Sequence, residues 1–134
     1  MKAVKSTISK ALPLGARIEA ADNSGAKIIQ IISVKGYKTR TKKLMAAGIA
    51  DLVNVAVKVG NPDMIHKVAP AVIVRQKKEF TRPEGIKVKF EDNAAVILKD
   101  VRLGLPKGTL VKGPIAKEVA IRWPAIAKLA TMVL

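Results

Sequence analysis

Cysteine is absent from all 134 residues, which removes a disulfide framework, a thiol nucleophile and every zinc site that relies on cysteine ligands, whether four cysteines or a mixed cysteine–histidine set. That absence is compatible with a reducing, intracellular compartment. Histidine occurs once, so no multi-histidine metal site can be built, and His66, in a loop after Pro62, reads as ordinary surface rather than a general base. No apolar run approaches the roughly 18 to 20 residues that a spanning helix needs. The opening residues Met1-Lys2-Ala3-Val4-Lys5 lead into polar Ser6, Thr7 and Ser9, unlike the apolar stretch of a signal peptide. Asp22, Asp51, Asp92 and Asp100 are carboxylates that nothing in the sequence brings together as acid and base. Phosphate loops of the G-x-x-x-x-G-K-[ST] and G-x-G-x-x-G kinds are missing, and Gly104-Leu105-Pro106-Lys107-Gly108 has the wrong spacing. The expectation is therefore no enzyme, no metal and no cofactor.

Acidic residues are scarce as well. Ten Asp and Glu stand against 25 Lys and Arg, a net charge of +15 with a pI near 10.4. A domain so charged repels itself, so a polyanion is expected to neutralise it. Nucleic acid is favoured over an anionic membrane surface or an acidic protein. With 49% apolar residues, one domain spanning 1–134 can bury a core without metals or disulfides.

From about Arg17 to Lys99 the chain reads as short β segments. Lys27 to Val34 is rich in isoleucine. Leu52 to Val59 alternates, with Val53, Val55, Val57 and Val59 on one face. Ala71 to Lys77 and Ala94 to Lys99 are two further runs rich in β-branched residues. Gly and Pro punctuate between them, which argues for an antiparallel sheet closed into a small barrel. Closure would remove apolar strand edges that otherwise invite aggregation. Asp22-Asn23-Ser24-Gly25 and Asp92-Asn93 read as turns. Past Gly113 the period changes: Pro114 suits the first position of a helix carrying Ile115 and Val119, and Pro124 opens a second carrying Ile126 and Leu129.

The positive charge is concentrated in two places. Lys35, Lys38, Arg40, Lys42 and Lys43 form a run without an acid. Arg75, Lys77, Lys78, Arg82, Lys87 and Lys89 flank Pro83-Glu84-Gly85, whose Pro and Gly fit the second and fourth positions of a type I turn. A projecting basic hairpin near 75–90 is shaped to lie along phosphates, with Arg40, Arg75 and Arg82 suited to bidentate contacts. For any single lysine, plain solvated surface is the alternative. Aromatics are few: Tyr37, Phe80, Phe90 and Trp123. Single-strand binders stack bases on several exposed rings. Here only Tyr37 and Phe80 lie in basic stretches, which favours recognition of structured RNA by backbone and shape. A free-standing single-strand binder is the rival reading, and it predicts lost affinity when Tyr37 or Phe80 is truncated.

Ala21-Asp22-Asn23-Ser24-Gly25-Ala26-Lys27 resembles the opening signature of the L-fourteen family of large-subunit ribosomal proteins. Ala71-Val72-Ile73-Val74 followed by the basic hairpin, Gly85, Phe90, Asn93, Val96 and Ile97 is similar to that family's central run. Gly113-Pro114-Ile115-Ala116-Lys117-Glu118 resembles its C-terminal part. Ile32 to Lys38, Phe90 to Ala95 and Arg122-Trp123-Pro124 look like the archaeal and eukaryotic branch. Glu84 departs from the Asp, Asn or Ser usual before the turn glycine, and its longer side chain closes the local bond less well.

The resemblance implies a mainly β fold: a closed five-stranded β-barrel over 14–100, a projecting basic hairpin and a small helical C-terminus within 101–134, after an N-terminal arm at 1–13. It implies a cytoplasmic structural protein of the ribosome that binds large-subunit rRNA and meets small-subunit rRNA at an intersubunit bridge. Neighbouring large-subunit proteins, including the L-three family, and subunit anti-association factors are the implied protein partners. Ile115, Val119, Ile126 and Leu129 are the expected protein-facing residues.

Overall fold

The computed structural model describes residues 8–36, 41 and 44–134. Its strands are β1 (Leu12–Pro13), β2 (Arg17–Ala20), β3 (Ala26–Val34), β4 (Ala46–Ala47), β5 (Leu52–Gly60), β6 (Val68–Arg75), β7 (Phe80–Thr81), β8 (Lys87–Val88), β9 (Ala94–Asp100), β10 (Leu105–Pro106), β11 (Val111–Ile115) and β12 (Ala130–Val133). Two short helices, α1 (Lys117–Arg122) and α2 (Pro124–Leu129), lie between the last two strands.

Five strands close the barrel. β2 pairs antiparallel with β3, β3 with β5, β5 with β6, and β6 with β9. The ring is completed by a parallel pairing, Glu19 opposite Ala94 and Ala20 opposite Ala95. The β runs are where the sequence places them, but the sheet is not wholly antiparallel. Geometry requires this: strand direction can alternate without a break only around an even number of strands, so a ring of five must contain one parallel pair.

Two cores share the barrel wall. Inside lie Ile18, Ile29, Ile31, Val53, Val55, Val57, Ala71, Ile73, Ala95 and Ile97. Outside β6 and β9, a second core joins Val72, Val74, Val96 and Leu98 to Phe80, Phe90, Ile115, Val119, Trp123 and Ile126. Both strands are thus apolar on both faces, which is why their sequences read as unbroken hydrophobic runs rather than alternating ones. β5 alternates as expected up to Val57. Val59 is exposed, paired with Ile28, which is also exposed, where the β3–β5 register slips.

The N-terminal and C-terminal segments are drawn in further than the sequence indicates. Leu12 belongs to the barrel interior and Ile8 to the second core. β1 pairs with β4 through Leu12 and Ala47, so residues 8–13 are part of the packed fold. Pro124 occupies the first turn of α2, as its lack of an N–H permits. Pro114 does not start a helix: it lies in β11, beside a register shift against β12, and α1 begins only at Lys117. A proline followed by apolar residues is a helix-start signal, but a bulged strand at a sheet edge tolerates proline equally well. Trp123 joins the helices, and its Nε1–H donates to the Ala50 carbonyl at 3.0 Å.

The Asp22-Asn23-Ser24-Gly25 turn does more than reverse the chain. The Asp22 carboxylate accepts from Ser24 Oγ at 2.8 Å and from the Ile97 backbone N–H at 3.1 Å. Asn23 Oδ1 accepts from the backbone N–H groups of Thr109 and Leu110. The turn therefore ties β9 and the approach to β11 to the end of β2. Burial pushes the Asp22 carboxyl above its ordinary 3.8, against the opposing pull of the Ser24 and Ile97 hydrogen bonds. The folded state thus binds a proton at this site more tightly than the unfolded chain does. Stability contributed by Asp22 rises as pH falls from neutrality through the raised value and levels off below 3.8. Urea unfolding of wild type and Asp22→Asn between neutral pH and pH 4 should show the wild type gaining relative to the variant on acidification. A constant difference would exclude a raised carboxyl here.

Candidate nucleic-acid interface

The two arginines of the hairpin region that the sequence assigns to phosphate are turned inward. Arg75 ends β6 and is 7% exposed. Its Nε and Nη2 donate to both oxygens of Asp92 at 2.8 and 3.2 Å, and its Nη1 donates to the carbonyls of Lys112 and Pro114. A Cβ on Gly113 would lie 2.7 Å from that Nη1, at φ +77, so glycine leaves room for the guanidinium. Arg82, at the hairpin tip, donates through Nε and Nη2 to the two oxygens of Glu118 at 2.8 and 3.4 Å, and also to the Leu134 carbonyl. Its guanidinium lies 5.8 Å from the centre of the Phe80 ring.

The chemistry expected of these arginines is present, a planar fork gripping an anion at two points, but the anions belong to the protein. Residue type reveals the capacity for such a contact and says nothing of which partner fulfils it.

The hairpin itself forms as its turn residues dictate. Phe80 pairs with Val88 and Thr81 with Lys87. The Gly85 N–H closes on the Arg82 carbonyl at 2.9 Å, the Arg82 N–H donates to the Ile86 carbonyl, and Gly85 has φ +89. This is a type I turn followed by a left-handed glycine. The Arg82–Glu118 pair anchors its tip to α1. Its neighbour, Lys117 with Glu84 at 4.0 Å, has both side chains more than half exposed and contributes at most about 1 kcal/mol.

With those arginines engaged, the hairpin presents lysines. Lys77, Lys78, Lys87 and Lys89 are all exposed, as is Lys35 beyond β3. Backbone bonds hold their bases: the Lys77 N–H donates to Asn93 Oδ1 at 2.8 Å, and Gln76 Nε2 donates to the Lys78 carbonyl at 3.0 Å. Lys38, Arg40, Lys42 and Lys43 lie outside the described residues, as does Tyr37.

Acidic residues are divided: Glu19, Asp63, Glu79, Glu84 and Glu91 are exposed, while the other five of the ten are engaged within the fold. Asp22, Asp51 and Glu118 are buried, Asp92 faces Arg75, and Asp100 accepts from the Arg102 and Leu103 N–H groups. Asp51 collects Lys10 at 2.5 Å, the Gly48 N–H at 2.8 Å and Arg122 at 3.5 Å. Half of the carboxylates are thus engaged within the fold, while every described lysine is exposed. The pairing of Lys10 and Arg122 with Asp51 was not legible, because each is an isolated cation in sequence.

The apolar partner surface is also placed differently. Ile115, Val119 and Ile126 are fully buried and Leu129 packs against them. Helical spacing identifies an apolar face without saying whether the chain's own barrel covers it, and here the barrel does. The exposed apolar residues of this region are Ile121, Met132, Val133 and Leu134.

Phe90 and Trp123 are core, as their positions suggest, but Phe80 is also buried, at 1% exposure. No base can stack on it in the folded protein. Among the described residues no cluster of His, Asp or Glu could hold a metal, and no helix is long and apolar enough to cross a membrane.

A closed five-stranded barrel whose described lysines all face solvent, and half of whose acids are engaged within the fold, defines a basic β-barrel protein. Residues 11–134 match the family model described as ribosomal protein L14p/L23e. The chain is 56% identical to the large ribosomal subunit protein uL14 of Nanoarchaeum equitans and 50% identical to those of Methanococcus vannielii and Methanococcus maripaludis strain C7, in each case over 99% of both chains. It belongs to the L14p/L23e family of ribosomal proteins, and these relatives are archaeal, as the branch features of the sequence indicate.

The inward ion pairs carry a stability consequence. Arg82 and Glu118 side chains are 14% and 6% exposed, so Glu118→Ala strands a largely buried guanidinium and should cost about 3–5 kcal/mol in urea unfolding. Adding Arg82→Ala to that variant should recover part of the loss. Strict additivity of the two single losses would show that the pair is not coupled.

Proposed function

We propose that this protein is a structural, non-catalytic constituent of the large ribosomal subunit that binds its rRNA electrostatically. The carrying observation is the outward face of the lysines, with Lys77, Lys78, Lys87 and Lys89 exposed along the hairpin while Asp92 and Glu118 are taken up by Arg75 and Arg82. The full-length similarity to proteins named for the large subunit supports the same reading. The barrel acts as a rigid carrier, and the lysines displace counterions from closely spaced phosphates. Specificity comes from RNA shape, because no described aromatic ring is free to stack on a base.

Within that reading the protein sits in the ribosome at the face that meets the small subunit and contributes to an RNA–protein bridge. Lys35, Lys38, Arg40, Lys42 and Lys43 add to the RNA-facing charge. Exposed Ile121, Met132, Val133 and Leu134 suit neighbouring large-subunit proteins such as the L-three family, or factors that hold the subunits apart. The rival single-strand binder is weakened by the burial of Phe80 and now rests on Tyr37 alone.

Sucrose-gradient fractionation of native lysate is the direct test. The protein should co-sediment with large subunits and whole ribosomes in stoichiometric amount and leave them only at high ionic strength. Residence in light fractions at low salt, where phosphate contacts are tightest, would refute the assignment. In filter binding to large-subunit rRNA, Lys77→Gln, Lys78→Gln, Lys87→Gln and Lys89→Gln should each lower the slope of log affinity against log salt by about 1. Tyr37→Ala should leave affinity within about twofold, whereas a stacking binder would lose about 1–3 kcal/mol.

A further inference from the structure

The partly or wholly buried arginines are not equally satisfied. Arg75 and Arg82 each grip a carboxylate at two points and add backbone carbonyls, two for Arg75 and one for Arg82. Arg122, in the last turn of α1, approaches Asp51 only through Nη1, at 3.5 Å, and its buried Nε–H has no hydrogen-bond partner. Asp51 is already held by Lys10 and by the Gly48 N–H. A buried guanidinium N–H left unbonded is uncommon enough to require a reason.

Arg122 also stands where two clefts meet. One, of about 410 Å³, is lined by Lys10, Lys35, Asp51, Leu52 and Arg122. The other, of about 270 Å³, is lined by Arg102, Trp123, Leu52 and Arg122. Sharing Leu52 and Arg122, they adjoin at the C-terminal end of α1 as two lobes of a groove with those residues between them. The charged residues lining it are Lys10, Lys35, Arg102 and Arg122 against Asp51, four cations less one anion, or +3. The groove is separate from the hairpin lysines, and apart from Lys35 none of these cations belongs to the basic clusters of the sequence.

We infer that this groove seats phosphodiester oxyanions of RNA, with Arg122 at its centre. The inference rests on the rRNA-binding reading and extends it to a second contact surface. Asp51 holds Arg122 at one corner of its fork, which orients the guanidinium without saturating it. An RNA phosphate entering beside Lys35 meets the exposed part of the Arg122 side chain, and Arg102 extends the positive track along the groove. Held this way, the guanidinium loses less freedom on binding than a solvated lysine does.

The test uses the full chain and three variants. Lys35→Gln with Arg102→Gln removes two exposed cations of the groove. Lys27→Gln with Lys99→Gln removes two exposed cations elsewhere on the barrel and controls for net charge. Arg122→Lys identifies the Arg122 Nε–H resonance by its loss. Binding to deproteinised large-subunit rRNA is measured against salt, and inorganic phosphate is titrated separately while that resonance is followed by NMR. The groove pair should lower rRNA affinity at least tenfold and the salt slope by about 2, with melting temperature unchanged. The control pair should lower affinity no more than threefold, and phosphate alone should shift the Arg122 signal weakly. Equal losses for groove and control pairs would overturn the groove while leaving the rRNA reading intact. A phosphate-shifted Arg122 signal together with equal losses would make it a free-anion site and would also overturn the inference. Failure of the wild type to bind rRNA would remove both readings.

Discussion

The structure depends on the pairing of β6 with β9. Ala71 lies opposite Ile97, Val72 opposite Val96 and Ile73 opposite Ala95, and all six are fully buried. Alternate residues enter the barrel interior and the second core, so one hydrogen-bonded ladder anchors both hydrophobic masses. At about 25 cal/mol per Å² of apolar surface buried, this two-sided burial is where the barrel and the C-terminal helices become one body. Asp22 bonds to the Ile97 N–H, Arg75 ends β6, and α1 and α2 cover the outer face of the pair. Each of these features presupposes the ladder.

Charge is arranged around that frame by a simple asymmetry. Five of the ten carboxylates bond within the fold, and those of Asp92 and Glu118 take up arginines at two points each. The guanidinium's planar fork and weaker hydration suit a buried carboxylate, while the ammonium group keeps its water. Arg75 and Arg82 therefore fasten β11, the hairpin tip and the chain's last residue. The lysines beside them in sequence face solvent and remain available to a polyanion. Internally bonded and solvent-facing charge are interleaved within one stretch of chain and separated by side-chain chemistry.

Much of the frame was legible because β-branched runs and Gly/Pro breaks report local backbone preference, which tertiary packing here reinforced. The Arg82–Gly85 turn formed because Pro83 and Gly85 meet its dihedral demands. The partners of charged side chains were not legible: nothing local to Arg82 announces Glu118, 36 residues away, and nothing local to Lys10 announces Asp51. The apolar spacing of Ile115, Val119 and Ile126 correctly marked a contact face but could not reveal that the contact is internal. Pro114 misled for a related reason, since its missing N–H is equally acceptable at a helix start and in a bulged strand. The odd number of barrel strands made one parallel pair unavoidable, a topological fact that no window of residues contains.

That parallel pair has a consequence for how the chain acquires its shape. β2 is among the first strands to be synthesised, yet its closing partner, Ala94 to Asp100, follows only after every other strand of the ring. Until then β2, β3, β5 and β6 can form only an open sheet with two raw edges, and the outer faces of Val72 and Val74 have no cover. During synthesis, closure of the seam and docking of the helices therefore come last, and contacts of such sequence separation make for slow folding. During that interval the unfinished sheet is exposed to mispairing with another copy of itself. The basic residues already synthesised alongside it provide like-charge repulsion that holds such copies apart until the ring is shut.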